Sequence, residues 1–271
     1  METVKKYELT NDTITFRGRT LFRIRALSNF PLLTFSLVKK GDLGGYIEKE
    51  ANLSHHGNAW VDCEAKVCNN AVVKDNAVVC GSAEIFDDAE ISDDAIVYEK
   101  AQIYDKAKAY GVAEVYGNAE VCGNSLICGK ALVYGDAKVY GNSLIYGNAK
   151  VYGNSLIYDN AGVFGDAEVF GNSNIYGNAE VYGNSNICGV AIIHGSASIK
   201  TNNDYITVTG FGSENRTTTF FRTSDNNIFV KCGCFSGNLA EFEEKVKETH
   251  KDTKYAKEYL AMVQAVKIHF E

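Results

Sequence analysis

Aliphatic residues recur at every sixth position along more than half of the chain. The series runs from Val61 to Ile199, and only Ala109 among its 24 positions is neither Val nor Ile. Two positions before each of them stands an Ala or a Ser, from Ala59 to Ala197. From about residue 58 to residue 200 the pattern contains no insertion. A strict period of six fits neither the 3.6-residue period of a helix nor the simple alternation of a hairpin sheet.

This six-residue unit predicts a three-sided coil, with a short strand on each side and a turn at each corner. In the unit Val-Tyr-Gly-Asn-Ala-Glu, the aliphatic side chain points inward and the next side chain points outward. Gly-Asn forms the corner, because both residues tolerate a left-handed backbone. Three units make a coil of 18 residues, so the 24 units give about eight coils. The predicted fold class is therefore an all-β solenoid, a parallel β-helix whose filled interior leaves no room for a ligand.

The repeat divides the chain into three predicted parts. Residues 1–46 read as short strands and are predicted to form a small N-terminal β cap over an otherwise unpaired sheet edge. Residues 47–200 form the β-helix. Residues 201–271 are predicted to form an α+β domain, in which alternating segments resemble strands and Asn238–Glu241 resembles the capping box that opens a helix.

Aromatic side chains occupy many of the outward positions, at intervals of 18 residues. Each stripe therefore lies on one side of the coil, which indicates either ladders that stabilise the sheets or exposed surfaces for association. The sequence leaves both interpretations open. The stripes are Tyr98, Tyr116, Tyr134, Tyr152 and Phe170; Tyr104, Tyr140, Tyr158 and Tyr176; and Tyr110, Tyr146, Phe164 and Tyr182.

The six-residue unit resembles the hexapeptide repeat of left-handed β-helix proteins, which has the form [LIV]-x-x-x-[STA]-x. The resemblance covers over half of the chain and implies a left-handed coil and a homotrimer. The entry segment, VKKGDLGGYIEKEANLSHHGNAWV at residues 38–61, resembles a subgroup common in bacteriophages and prophages. Members of that subgroup are often labelled transferase or polymer-forming on repeat similarity alone.

Charge and cysteine placement disfavour several classes of function. The net charge of −7 disfavours general nucleic-acid binding and binding to a membrane surface, which both favour a basic face. The polar N-terminal segment and the lack of long apolar runs predict a cytoplasmic protein, in the host cytoplasm if a phage encodes it. The eight cysteines lack the paired spacing of a structural zinc site, so we expect reduced thiols and no metal.

The densest polar stretch outside the repeat is Thr209–Thr219, followed by Arg222. Its glycines would let backbone N–H groups approach a ligand, and its hydroxyl and guanidinium groups suit a phosphate or a carboxylate. The alternative is a structural hairpin with solvated hydroxyls. The predicted residues for a small anionic ligand are Ser213, Arg216, Thr217, Thr218, Thr219 and Arg222.

Three functions are compatible with this sequence. The first is a non-enzymatic scaffold whose end domains bind a small anionic ligand, such as a nucleotide signal of host defence. The second, implied by the resemblance, is an acyltransferase that binds coenzyme A and uses His194 or His56 as a base. The repeat has no extruded loop, and no carboxylate accompanies either histidine at a recognisable spacing, which disfavours this reading. The third is a structural spacer with no small-molecule ligand.

Overall fold

The computed structural model describes residues 5–34 and 36–271, and most of them form a parallel β-helix of about nine turns. Successive strands on one side are 18 residues apart in the sequence and pair in parallel, as Ile85 pairs with Ile103. The inward Val, Ile and Ala side chains are completely or almost completely buried. This architecture confirms the solenoid that the six-residue period predicts.

The N-terminal part contains five strands and a short 3₁₀ turn at Glu50–Asn52. The strands are β1 (Tyr7–Phe16), β2 (Arg19–Ala26), β3 (Phe30–Pro31), β4 (Leu37–Val38) and β5 (Leu43–Ile47).

The strands of the β-helix that follow are two residues long. In chain order they are β6 (Trp60–Val61), β7 (Lys66–Val67), β8 (Val72–Val73), β9 (Val78–Val79), β10 (Glu84–Ile85), β11 (Glu90–Ile91), β12 (Ile96–Val97), β13 (Gln102–Ile103), β14 (Lys108–Ala109), β15 (Glu114–Val115), β16 (Glu120–Val121), β17 (Leu126–Ile127), β18 (Leu132–Val133), β19 (Lys138–Val139), β20 (Leu144–Ile145), β21 (Lys150–Val151), β22 (Leu156–Ile157), β23 (Gly162–Val163), β24 (Glu168–Val169), β25 (Asn174–Ile175), β26 (Glu180–Val181), β27 (Asn186–Ile187), β28 (Ile192–Ile193) and β29 (Ser198–Ile199).

These strands form three parallel sheets, one on each side of the coil. Face A contains β5 and every third strand from β7 to β28, and β1 and β2 extend its sheet in antiparallel pairing. Face B contains every third strand from β8 to β29, and face C every third strand from β6 to β27. The three faces enclose one continuous apolar core.

The first coil differs from the later ones and explains why the prediction of about eight coils is too low. Ile47 and Leu53 are inward positions of the same kind as Val61, and Leu53 forms a parallel bridge with Val73. Val61 follows Leu53 by eight positions instead of six, which breaks the strict period. The extra residues lie around His55, whose ring stacks on Tyr7.

Residues near the N-terminus cover the open end of this first coil. The Lys6 ammonium group donates hydrogen bonds to the Ala59 and Gly57 carbonyl oxygens, at 2.7 and 3.2 Å. The Tyr7 hydroxyl donates to the Leu53 carbonyl oxygen at 2.8 Å. Burial lowers the pKa of Lys6 to about 8.

The C-terminal part folds as a four-stranded antiparallel sheet packed against two helices. Its elements are β30 (Tyr205–Phe211), β31 (Arg216–Arg222), β32 (Ile228–Cys232), β33 (Phe235–Asn238), α1 (Leu239–His250) and α2 (Lys254–His269), after a 3₁₀ turn at Asn202–Asp204. The predicted capping box is confirmed, because the Asn238 side chain accepts from the Glu241 N–H and the Glu241 carboxylate accepts from the Asn238 N–H. Phe220, Val230 and Val263 lie at the centre of a separate apolar core.

Strand β31 and its neighbours also close the last coil of the β-helix. The Ile192 N–H donates to the Thr219 hydroxyl at 3.1 Å, and the Ser224 N–H donates to the Ser196 carbonyl oxygen at 2.8 Å. Phe221 belongs to the apolar core of the β-helix. The C-terminal part therefore caps one end of the β-helix and carries a core of its own.

Candidate functional site: a cleft in the C-terminal part

A cleft of about 630 Å³ lies between the antiparallel sheet and the two helices. Its volume falls within the range of small-molecule sites in proteins. We call it the C-terminal cleft. It is lined by Ser213, Glu214, Arg216, Cys232, Cys234, Phe235, Ser236, Phe242, Lys245, Val246, Thr249, His250 and Tyr259.

Aromatic rings form the floor of the C-terminal cleft. Tyr259 lies edge-on to Phe242, with 5.7 Å between ring centroids, and its ring stacks with His250 at 5.5 Å. Phe235 packs against Phe242 at 5.2 Å. Tyr259 is only 5% exposed, and burial raises its pKa to about 12, so its hydroxyl stays protonated at neutral pH. The floor is thus apolar and uncharged.

Two glycines allow this floor and its rim to form. A Cβ atom on Gly212 would overlap the Tyr259 hydroxyl, and a Cβ on Gly233 would overlap the Arg216 guanidinium group. Both glycines also have a left-handed backbone. The Gly212 N–H donates to the Glu258 carboxylate at 3.2 Å. The sequence predicts that the glycines bring backbone N–H groups to a ligand. At Gly212 the N–H instead bonds to Glu258 of α2.

Two cationic side chains lie at the rim of the cleft. Lys245 pairs with Glu248 at 2.7 Å, and this hydrogen bond raises the pKa of Lys245. Within residues 5–34 and 36–271, Arg216 takes part in no ion pair, and it is exposed. Glu214 lines the same cleft and supplies a hydrogen-bond acceptor. The rim can therefore hold an anionic group above the aromatic floor.

The structure brings together only two of the six residues that the sequence analysis proposes for the ligand. Ser213 and Arg216 line the cleft. The Thr218 hydroxyl is buried and donates to the Cys232 sulfur at 3.1 Å, while Thr219 is buried at the junction with the β-helix. Thr217 is half-buried and does not line the cleft.

Arg222, the sixth predicted residue, lies away from the cleft. Its guanidinium group pairs with Asp204 at 3.2 Å and donates to the Asn226 side chain at 2.7 Å. It also donates to the Phe270 carbonyl oxygen at 3.0 Å and lies 5.2 Å from the centre of the Phe270 ring. These contacts join the end of α2 to the sheet.

Most residues that line the cleft carry no functional signal in the sequence. Phe242 and Tyr259 occupy apolar positions of α1 and α2, which the helical pattern assigns to a core face. Lys245 and His250 carried no signal that separates them from an ordinary solvated helix surface. How two helices pack against a sheet is not encoded in their local periodicity, so the cleft follows only from the structure.

The two histidines proposed as bases occupy different surroundings. The His194 Nε2 atom lies 3.0 Å from the Ser236 hydroxyl, and its ring stacks on Tyr176 with 4.9 Å between centroids. Burial lowers the pKa of His194, which keeps the imidazole neutral near pH 7. His56 is exposed in the first coil, where its backbone N–H and carbonyl oxygen bond to the Ser54 hydroxyl.

No protein-family model matches the chain, and no curated protein matches it either. In the part of the chain that the structure describes, no helix has the length and apolar character needed to cross a membrane. The described residues also include no group of three or more His, Cys, Asp and Glu side chains arranged to hold a metal ion.

Proposed function

We propose that this chain is a binding protein, in which the β-helix is a scaffold and the C-terminal cleft holds a small anionic ligand with a planar ring, such as a nucleotide. The observation that supports the proposal is the arrangement of the cleft, with Phe235, Phe242 and Tyr259 as a floor and Arg216 and Lys245 at the rim. A planar ring would stack on the floor. An Arg guanidinium group would bind a phosphate with two parallel hydrogen bonds.

The interior of the β-helix supports the same assignment. Its core positions are filled by aliphatic side chains with almost no exposed area, so a ligand has no space there. The cleft instead combines a suitable volume, an apolar floor and a cation, Arg216, that forms no ion pair with the described residues, which is the usual composition of a small-molecule site.

The finer part of the proposal comes from the resemblance to hexapeptide-repeat proteins of phages. A phage-encoded homotrimer in the host cytoplasm could use such a cleft to sequester a nucleotide signal of host defence.

Calorimetric titration of the full chain with cyclic oligonucleotides and ADP-ribose derivatives tests the proposal. We expect Arg216→Gln to weaken binding by about tenfold or more, because a hydrogen bond to a charged group contributes about 1.5–3 kcal/mol. Arg25→Gln is the matched control, because Arg25 pairs with Glu8 in the N-terminal cap, far from the cleft in the fold. Absence of heat with every compound, or equal affinity of the wild type and Arg216→Gln, would rule out this site.

A second candidate function is acyl transfer from coenzyme A, with His194 as the base. The observation that favours it is the neutral imidazole of His194 hydrogen-bonded to the Ser236 hydroxyl, a place that the hydroxyl of an acceptor could take. Coenzyme A titration and a turnover assay with hydroxyl and amine acceptors test this function. Turnover that His194→Ala abolishes and His56→Ala leaves intact would support it.

Co-purification with virus particles and no ligand would favour a spacer.

A further inference from the structure

Face B carries a stretch of its outer surface without charged side chains. Two columns of outward residues run along this face, one just before and one just after each inward residue. We call them the leading and the trailing column. The leading column reads Lys108, Leu126, Leu144, Gly162 and Glu180, and the trailing column beside it reads Tyr110, Cys128, Tyr146, Phe164 and Tyr182.

The corresponding coils of the other two faces are different. On face A the leading column contains Glu120 and Lys138, which form an ion pair at 2.9 Å. On face C it contains Lys150 and Glu168, paired at 2.7 Å. The three-coil stretch from Leu126 to Gly162 is therefore an apolar surface bounded by one charged residue at each end.

Gly162 leaves a notch in this surface that the β-helix itself does not require. Its backbone is not left-handed, unlike that of the corner glycines. A Cβ atom at Gly162 would meet only the Phe164 ring, at 3.6 Å, which is an ordinary contact. Because glycine weakens a strand interior, a glycine at this position calls for another explanation, and close approach of another chain is one.

The two ends of the apolar stretch carry opposite charge. Lys108 and Lys74 both pair with Glu90, at 2.7 and 2.6 Å, so two ammonium groups share one carboxylate. At the other end Glu180 is exposed and forms no ion pair with any residue in the described ranges. Within the two columns, the Lys108 end thus has two ammonium groups for one carboxylate, beside the corner residues Asp75 and Asp93, and the other end has the carboxylate of Glu180.

We propose that face B binds a second copy of this chain, with the two β-helices antiparallel about a two-fold axis that runs along β20. Lys108 and Glu180 each lie two coils from Leu144, so each lysine would face the glutamate of the other copy. On the same axis Leu126 would face the Gly162 notch of the other copy, and Phe164 would face the smaller Cys128. Leu144 would meet its own equivalent.

The antiparallel orientation follows from the positions of these residues. A two-fold axis along the length of the β-helix would instead place each leading residue opposite the trailing residue of the same coil. Lys108 would then face Tyr110, Glu180 would face Tyr182, and both charges would lose solvent without gaining a partner. In the antiparallel arrangement both copies use the same surface, so the dimer is isologous and closed. It places Lys108 opposite Glu180 and Leu126 opposite the notch at Gly162. It differs from the homotrimer that the family resemblance implies.

A charge-swap experiment on the full chain tests the interface. By size-exclusion chromatography with light scattering we expect a dimer for the wild type. Glu180→Lys and Lys108→Glu should each give a monomer, because each places like charges opposite one another, and the double variant should restore the dimer. The two positions lie four coils apart on one chain, roughly 19 Å at a strand spacing of about 4.8 Å, so rescue must act between chains.

Lys150→Glu is the matched control, because it reverses the charge of a lysine in the leading column of face C that, like Lys108, pairs with a glutamate of an adjacent coil. It should stay dimeric. Gly162→Leu should fill the notch and give a folded monomer, with circular dichroism like that of the wild type. A wild-type monomer or trimer would overturn the proposal, as would a double variant that folds but does not dimerise.

Discussion

At the residue scale, each corner of the β-helix needs one residue with a left-handed backbone, and apart from Cys63 and Glu99 the chain uses two kinds. Most corners from residue 111 onward have glycine, with φ between +66° and +77°. Several earlier corners have Asp or Asn, such as Asp105 with φ +57°. The Asp105 carboxylate also accepts a hydrogen bond from the Gly123 N–H of the next coil at 3.0 Å. An aspartate corner thus compensates part of its backbone strain by bonding to the adjacent coil.

This difference predicts the effect of substitutions at Gly135. Gly135→Ala should lower the free energy of unfolding by about 1–2 kcal/mol, the usual cost of a left-handed non-glycine residue. Gly135→Asp should cost less, because its carboxylate can accept from the Gly153 N–H as Asp105 accepts from Gly123. Urea unfolding followed by circular dichroism measures both variants. Equal losses for alanine and aspartate would show that the carboxylate contributes nothing at a corner.

The same scale shows why the predicted ligand residues separate in the structure. Thr218 and Thr219 are neighbours in a strand, so their side chains point to opposite sides of the sheet. The Thr218 hydroxyl donates to the Cys232 sulfur, and the Thr219 hydroxyl accepts from the Ile192 N–H in the last coil of the β-helix. Composition identified good donors and acceptors, but only the fold determines which of them already have partners. Of the predicted residues, Arg216 at the exposed start of the strand and Ser213 just before it line the cleft.

At the element scale, the aromatic stripes form stacked ladders, which are continuous from Tyr98 to Phe170 on face C and are interrupted by Cys122 on face A and by Cys128 on face B. The centroids of successive rings are 4.7–5.1 Å apart on the three faces, close to the spacing of the strands that carry them. Interplanar angles along the ladder from Tyr98 to Phe170 are 8° or less. The rings therefore stack on one another as the ladder interpretation predicts. Phe86 and His194 extend the ladder of face A beyond the predicted residues.

The ladders predict how stability depends on alkaline pH. Burial raises the pKa of Tyr158 to about 12, from the ordinary value of 10.0. The unfolded chain therefore loses this proton first, so the contribution of Tyr158 to stability is complete below pH 10 and is lost as pH rises toward 12. Urea unfolding at several pH values should give a smaller decline above pH 10 for Tyr158→Phe than for the wild type. Identical declines would contradict the prediction.

Most elements of this fold follow from the sequence, and the exceptions have physical causes. The repeat strands were predictable because each position faces either the core or solvent in a fixed order. The first coil was missed because the two extra residues near His55 break the period. Residues 1–46 were predicted to contain only short strands, but β1 is a single strand of ten residues, with an irregular register between Leu9 and Thr13. The handedness of the coil stays a prediction from the family resemblance.

At the scale of the whole molecule, non-repeating residues close both ends of the β-helix. An open end would present the unpaired N–H and C=O groups of three strands, which can pair with another chain. At the first coil, Lys6 and Tyr7 bond to such carbonyl groups. At the last coil, the Tyr205 hydroxyl donates to the Asn186 carbonyl oxygen at 2.8 Å. We therefore expect the end structures to prevent growth of the solenoid by stacking.

Removal of residues 201–271 tests this conclusion, because it exposes the edges of β27, β28 and β29. We expect the truncated chain to keep the circular dichroism of a β-helix, since each coil contacts mainly its neighbours, but to associate end to end. Light scattering should then increase with protein concentration, and electron microscopy should show elongated particles. Thr219→Val in the full chain is the control, because it removes only the acceptor of the Ile192 N–H and should leave discrete particles. If the truncated chain folds and keeps the oligomeric state of the full chain at all concentrations, closure of the last coil by the C-terminal part is not what prevents its growth.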